Sequence, residues 1–293
     1  MVIGAALVMT SSLAGRAGLQ ARASEQRGGA AADGRSSATA VAGSQQVGSR
    51  FHEPDPIDFN DHDGFVRIFD GSTLKDWDGN PAFWRVENGA IVGESTRERP
   101  AKHQEYISYH GGDLAMVRDF DLKLEIKVEA GGGGGIQYRS QVGLPWRPGS
   151  SQPADPTMNL KWMMTGPQAD FWYPVGPKQF EYTGQFYSEN TPAGIVAWRG
   201  EVVNATPDKA PRLIADIDSR AALGGYVRIN DWNQYLIVAR GGTFLHILNG
   251  RLMSALIDDD PASPHNRAGL IGFEIEGTPC KVSIRDVWLK KLR

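Results

Sequence analysis

Between Val117 and Ser140 the chain alternates in polarity. Phe120, Leu122, Leu124, Ile126 and Val128 interleave with Asp121, Lys123, Glu125 and Lys127. A period of two gives a strand with one apolar and one polar face. The glycine run Gly131 to Gly135 interrupts it, as a turn or a close backbone approach would require. A second strand follows, with Ile136 and Tyr138 on one face and Gln137 and Arg139 on the other. Read as a hairpin in one sheet, its polar face carries Glu125, Gln137 and Arg139 together, with Glu94 at its rim.

Similar short patterns recur along the chain. Residues 65–69 form a strand, and 83–86 and 90–94 form a hairpin across Asn88-Gly89. Glu94 ends the second arm beside the polar stretch 95–104, where a carboxylate is well placed to face a cleft. Residues 141–182 read as a long irregular segment holding Trp146, Trp162, Phe171, Trp172 and Tyr173. A loop of that length and aromatic content points to function, and flat rings suit the apolar faces of sugars. Short strands follow at 182–189 and 194–201, then at 232–239, 243–248, 251–253, 269–275 and 282–289. His246 lies between apolar neighbours and is read as structural. Many short strands without an amphipathic helix predict an all-β sandwich of two antiparallel sheets. Segments 65–69 and 282–289 should pair as the ends of a jelly roll.

Composition narrows the function. The 293 residues carry a net charge of −3 and no basic block, which argues against a nucleic-acid partner. A single cysteine, Cys280, excludes an intrachain disulfide and a cysteine-based zinc site. Residues 1–23 combine a short apolar run, Val2 to Leu13, with a small-x-small site at Ala21-Arg22-Ala23. That run is too short to span a bilayer and reads as a signal peptide, so the expected location is periplasmic or secreted. Residues 24–63 read as a flexible linker and lead-in, and 64–293 as the folded domain.

Several stretches resemble the 3-keto-disaccharide hydrolase domain family. They are Phe69-Asp70-Gly71 with Leu74 and Trp77, Trp84 to Glu94, Phe120 to Glu125, and Gly135-Ile136-Gln137-Tyr138-Arg139-Ser140. Gln168-Ala169-Asp170, Trp232-Asn233, Leu248-Asn249-Gly250, Gly269 to Gly272 and Val287 to Lys290 complete the likeness over 64–293. The resemblance implies a concanavalin A-like jelly roll that cleaves glycosides oxidised at carbon 3. A ketone there acidifies the hydrogen on carbon 2. A base removes it, the group on carbon 1 leaves, and water adds back. Such chemistry needs a base, an acid and a donor for the enolate oxygen.

Under that reading Glu94 and Glu125 are the expected base and acid, with Arg139 on the enolate. Gln137 is a substrate partner, and Lys102, His103, Gln168, Asp170, Trp172, Glu189 and Arg199 are further binding candidates. No cofactor is called for with certainty. A divalent cation is the alternative to Arg139, though no clean ligand set is apparent and the metal ligands are unknown. The expected partner is a small carbohydrate or glycoside. The rival reading is a non-catalytic, lectin-like carbohydrate-binding module, and a weaker one is an adhesion domain.

Overall fold

The structure is a computed structural model that describes residues 58–145, 155–174, 181–205 and 210–292. The expected signal peptide, most of the linker and Trp146 lie outside these residues. In chain order the strands are β1 (Val66–Arg67), β2 (Trp77–Gly79), β3 (Trp84–Glu87), β4 (Ala90–Ser95), β5 (Glu105–Tyr109) and β6 (Phe120–Ala130). Then come β7 (Gly133–Val142), β8 (Met164–Trp172), β9 (Phe186–Glu189), β10 (Gly194–Ala197), β11 (Glu201–Ala205) and β12 (Arg212–Asp216). After a short helix, α1 (Arg220–Gly224), follow β13 (Asn233–Arg240), β14 (Thr243–Leu248), β15 (Arg251–Asp258), β16 (Leu270–Ile275) and β17 (Cys280–Lys291).

They build the two-sheet jelly-roll sandwich that the sequence predicts. Sheet A runs β12-β11-β15-β14-β13-β6-β17-β4-β3, and sheet B runs β10-β9-β8-β7-β16-β5-β2. Pairing is antiparallel except between β11 and β15. The two ends of the domain meet as expected, with β1 on β17 through Val66 opposite Leu289 and Arg67 opposite Trp288. Asn88 and Gly89 both have positive φ, 52° and 78°, as a two-residue hairpin turn of this kind demands.

The core lies between the sheets. Leu122, Leu124, Ile126 and Val128 of β6 and Ile136, Ala169, Phe186 and Phe273 of sheet B are all buried in it. Each large apolar side chain there contributes about 1.5–3 kcal/mol. Tyr138 packs against Phe120, Phe186 and Phe244. Its hydroxyl lies 2.8 Å from Nε2 of His246, a residue of the opposite sheet. Burial pushes the His246 pKa down to about 3, so the imidazole is a neutral tie between sheets, as its apolar setting suggests.

Two expectations need correction. The first concerns β6 and β7, which are not partners in one sheet. Strand β6 pairs with β13 and β17, whereas β7 pairs with β8 and β16. The glycine run carries the chain from one sheet to the other. Gly132, at φ 86°, passes so close to the Glu276 carbonyl that a Cβ would lie 2.3 Å from it. The second concerns the expected irregular stretch, which contains β8. Its Pro167 lacks an N–H, but it pairs in register with Ser188 of β9, while the β7–β8 register shifts between Gln137 and Gln141. A bulge is where a strand tolerates proline.

Candidate functional site: an acidic cleft on the outer face of sheet B

Because β7, β8, β9 and β16 alternate, residues off the core face point out of sheet B. Across β7 and β8 the register sets Gly133 opposite Trp172, Gly135 opposite Asp170 and Gln137 opposite Gln168. Across β16 and β5 it sets Glu274 opposite Tyr106. The glycines matter because they leave the middle of this face without side chains. A Cβ on Gly135 would meet Gln168 Cγ at 2.4 Å, and one on Gly133 would meet the Trp172 ring at 2.5 Å. What remains is a cleft of about 370 Å³, lined among the described residues by Trp172, Tyr182 and Ile195 and by the polar Gln104, Gln168, Asp170, Gln185, Tyr187, Glu189 and Glu276.

Amides hold the carboxyl groups in a directed network. Ser140 Oγ donates to Gln137 Oε1 at 2.8 Å. The Gln137 amide nitrogen donates to Gln168 Oε1. Gln168 Nε2 then donates to Asp170 Oδ1 at 2.7 Å. The Gln185 amide nitrogen donates to the other Asp170 oxygen. Tyr106 donates its hydroxyl to Glu189 Oε1 at 3.0 Å. Asp170 is 3% exposed and Glu274 1%. Oε1 of Glu274 and Oε1 of Gln185 are buried without a hydrogen-bond partner.

Burial pushes the Asp170 carboxyl well above the usual range despite the lowering by Gln168 and Gln185, and the charges of Glu189 and Glu276 add to the rise. Burial likewise raises Glu274 well above its usual value, reinforced by Glu189, Glu276 and Asp170. Burial raises Glu276 too. The Tyr187 hydroxyl is raised by burial first and by neighbouring carboxylates second. Buried like charges that share protons can hold an acid and a base side by side near neutrality.

Five of the residues named from sequence share this face: Gln137, Gln168, Asp170, Trp172 and Glu189. The expected trio of Glu94, Glu125 and Arg139 does not assemble. Glu94 and Glu125 lie on the outer face of sheet A, across the core from the cleft. There Glu94 pairs with Arg85 at 2.8 Å and Glu125 with Arg285 at 2.6 Å. Arg139 has φ 47° and sits in the β7 bulge, so the alternation that would keep it beside Gln137 breaks there. Its guanidinium is buried at the sandwich edge. Nη1 donates to the carbonyls of Gly241 and His265 at 2.9 and 3.0 Å, and Nη2 to Asp119 at 3.2 Å. Burial pushes its pKa down to about 10.

The remaining candidates stand apart from the cleft lining. Lys102 is exposed on the approach to β5. His103 Nε2 lies 2.7 Å from the Thr157 hydroxyl. Arg199 is buried and donates to the carbonyls of Arg220 and Thr183 at 2.9 and 3.0 Å. Sequence reasoning missed Gln104, Tyr106, Gln185, Tyr187, Glu274 and Glu276. For Glu274 a signal existed: in Gly-Phe-Glu-Ile-Glu, two acids alternate with core apolar residues on one strand. Among the described residues no group of three or more His, Cys, Asp or Glu side chains is arranged to hold a metal ion.

A 3-keto-disaccharide hydrolase of Bacteroides thetaiotaomicron is 32% identical over 134 residues, 43% of this chain and 44% of that protein. The match thus spans less than half of the relative's length. A solved structure of a galectin-like protein of unknown function from Bacillus subtilis superposes with a TM-score of 0.48 at 12% identity, covering 78% of this chain and 94% of that one. A candidate glycosyl hydrolase from Parabacteroides distasonis gives 0.47 at 18% identity, with coverage of 79% and 95%. The model of the 3-keto-alpha-glucoside-1,2-lyase-like domain matches residues 64–290. With that match over most of its length, the chain belongs to the 3-keto-alpha-glucoside-1,2-lyase-like domain family.

Proposed function

We propose that the protein is an enzyme that cleaves 3-keto glycosides in the cleft of sheet B. One observation carries the reading: Asp170, Glu189 and Glu276 line one cleft with Glu274 buried within reach of their charges, and burial raises Asp170, Glu274 and Glu276 above the ordinary carboxylate range. Carboxyl groups raised in this way are shifted toward the range where acid–base chemistry works. General acid–base catalysis needs one ionised and one protonated carboxyl near the same substrate atoms.

In this reading an ionised carboxylate of the cluster takes the proton from carbon 2 of the keto sugar. Electrons move into the carbon 3 carbonyl, and the enolate oxygen accepts hydrogen bonds from the cleft's amides or the Tyr187 hydroxyl. The enolate then re-forms the ketone and expels the group on carbon 1, whose oxygen takes a proton from a neutral carboxyl. Water adds across the resulting carbon 1–carbon 2 double bond and gives the free 3-keto sugar. Trp172 and Tyr182 supply a wall for the apolar face of a sugar ring. Without the ketone, the carbon 2 hydrogen is too weakly acidic for a carboxylate base.

Incubating purified protein with a 3-keto glycoside and its unoxidised parent, with products read by mass spectrometry, tests the proposal. The keto substrate should be cleaved and the parent left intact. Cleavage of both at equal rates would indicate an ordinary two-carboxylate glycosidase, and binding of both without product would indicate a carbohydrate-binding module. Export to the periplasm or the medium belongs to the same proposal, since residues 1–23 read as a signal peptide. Isolation of the protein from the cytoplasm with its N-terminus intact would rule export out.

A further inference from the structure

At the sandwich edge, beside Arg139, three side chains stand in series. Ser188 Oγ of β9 lies 2.8 Å from His265 Nε2, and His265 Nδ1 lies 2.9 Å from Asp258 Oδ2. All three residues are buried. The Ser263 hydroxyl donates to the same Asp258 oxygen at 2.6 Å. Burial alone would raise the Asp258 carboxyl, but the hydrogen bonds from His265, Ser263 and the Asp260 N–H hold it below its usual value. The ionised carboxylate keeps the His265 proton on Nδ1 and leaves the Nε2 lone pair facing Ser188. A nucleophile, a base within hydrogen-bond reach and a third group that orients the base are the parts of an activated serine. His246 shows the contrast of a purely structural histidine in the same fold. It is wholly buried, and its partners are the Tyr138 and Ser254 hydroxyls and the Gln185 carbonyl. His265 has a carboxylate partner instead, and it lines a pocket of about 240 Å³. That lining also includes Thr191, Arg267 and the apolar Leu144, Pro192 and Pro264. Thr191 Oγ1 lies 2.8 Å from Ser188 Oγ. The serine oxygen is thus bonded to two groups, His265 and Thr191, that both belong to the pocket lining.

We propose that Ser188, His265 and Asp258 form a second catalytic site, separate from the cleft, that hydrolyses esters of short acyl chains. Ser188 is only 1% exposed, so the ester reaches it from the pocket as the Thr191 hydroxyl turns away from the serine. Ser188 Oγ attacks the ester carbonyl carbon, and His265 Nε2 takes the serine proton. The oxyanion that forms accepts hydrogen bonds from the Thr191 hydroxyl and the Arg267 guanidinium on the pocket wall. Its collapse breaks the bond to the alcohol oxygen, which leaves with the proton from Nε2. Water then attacks the acyl-serine and gives a proton to Nε2. The carboxylic acid departs as Ser188 takes that proton back. The acyl chain lies against Leu144, Pro192 and Pro264, and the small volume limits its length.

Two measurements on the full chain test this. The first assays hydrolysis of nitrophenyl acetate, butyrate and laurate. The second treats the protein with phenylmethylsulfonyl fluoride and identifies the modified residue by mass spectrometry. Acetate and butyrate should be cleaved with a kcat/KM roughly tenfold or more above that of laurate, which exceeds the pocket. The reagent should modify Ser188 and block that cleavage. Ser188→Ala, His265→Gln and Asp258→Asn, checked as folded by their melting curves, should each lower kcat on the acetate by about 10²–10⁴-fold. Where a variant fails to fold, labelling of Ser188 in the wild-type protein decides the matter. Wild-type cleavage no faster than that of Ser188→Ala would reduce the three residues to a structural tie and overturn the proposal. So would a Ser188 left unmodified after prolonged exposure to the reagent. Ester cleavage lost in Asp170→Asn but kept in Ser188→Ala would assign it to the cleft and overturn the proposal equally.

Discussion

The outer faces of the two sheets both carry acids and treat them differently. On sheet A four acids pair with cations: Glu94 with Arg85, Glu125 with Arg285, Glu87 with Lys281 and Glu129 with Lys127, at 2.8, 2.6, 3.1 and 3.0 Å. These pairs are half open to water, where opposite charges interact weakly. On sheet B Asp170 is buried and accepts from the amides of Gln168 and Gln185, while Glu189 accepts from the Tyr106 phenol. Taking a carboxyl group out of water disfavours its charged form and costs stability. A cost of that kind marks the face where chemistry needs shifted carboxyl groups. The difference teaches that the arrangement of partners, rather than the presence of carboxylates, separates a solvated face from a site.

The largest effect should come from breaking this contrast in activity. Asp170→Asn, Glu189→Gln and Glu274→Gln should each lower kcat on a 3-keto glycoside by about 10²–10⁴-fold, the usual contribution of a positioned acid or base. Glu94→Gln should stay within roughly twofold of wild type, since a surface ion pair contributes little. Single-turnover rates on verified folded protein decide it. If Glu94→Gln falls as far as the sheet B variants, the cleft is not the reaction centre.

Next in size is Arg139. Its guanidinium ties β7 to the carbonyls of Gly241 and His265 and to Asp119. Arg139→Ala leaves the buried His265 carbonyl and the half-buried Gly241 carbonyl and Asp119 without their donor and should cost about 3 kcal/mol, a fall in melting temperature of roughly 6–12 °C for a domain of this size. A melting curve unchanged within 2 °C, with catalysis lost, would instead restore Arg139 to the chemistry.

A smaller effect, of opposite sign, follows from the raised carboxyl groups. Glu274 keeps its proton in the folded protein to a higher pH than in the unfolded chain. The stability it contributes is full below the unfolded value and falls as pH rises from about 4.3. Glu274→Gln removes that loss, so its melting temperature should match wild type near pH 4 and exceed it at pH 8. His246 works in the other direction. Its pKa is pushed down to about 3, so stability is present above about 6.5 and falls as pH drops toward 3. Thermal scans from pH 4 to 8 check both. A Glu274→Gln variant less stable than wild type at pH 8 would contradict a strained, catalytically adapted cluster.

These contrasts also show what the sequence could tell. The sandwich was legible because Leu122 to Val128 alternate and because Asn88-Gly89 and Asn249-Gly250 are strong turn signals. Gln168 and Asp170 were legible as candidates through the Gln-Ala-Asp resemblance and Trp172 through the aromatic content of its stretch, although the strand that carries them was hidden by Gly166 and Pro167. The pairing of Glu125 with Arg139 failed for two local reasons. A glycine run fits a hairpin and a crossing between sheets equally well, and only long-range pairing decides between them. Parity also holds only along an unbroken strand, and the bulge at Arg139 breaks it. Glu274 and Glu276 stayed out of view because Gly-Phe-Glu-Ile-Glu reads as an ordinary half-solvated strand. Their burial depends on β5, β7 and β9, which are distant in sequence.

The smallest predicted effect tests the sheet A side directly. Glu125 is bonded to Arg285, and the Arg285 guanidinium also stacks 4.0 Å from the Trp232 ring. Glu125→Gln therefore removes one half-exposed ion pair but leaves Arg285 held by the ring and open to water. Neither condition for a large loss is met, since no charge is left buried and no cavity forms. The cost should be below about 1 kcal/mol at low salt and should shrink further at 1 M salt, where screening removes what attraction remains. Cleavage of the 3-keto glycoside should be unchanged, because the whole core separates Glu125 from the cleft. Urea denaturation at two salt concentrations, run beside the activity assay, measures both quantities on the same samples. A salt-independent loss above 2 kcal/mol would mean that the outer face of sheet A is built around this pair. The two faces would then differ less than their partners suggest.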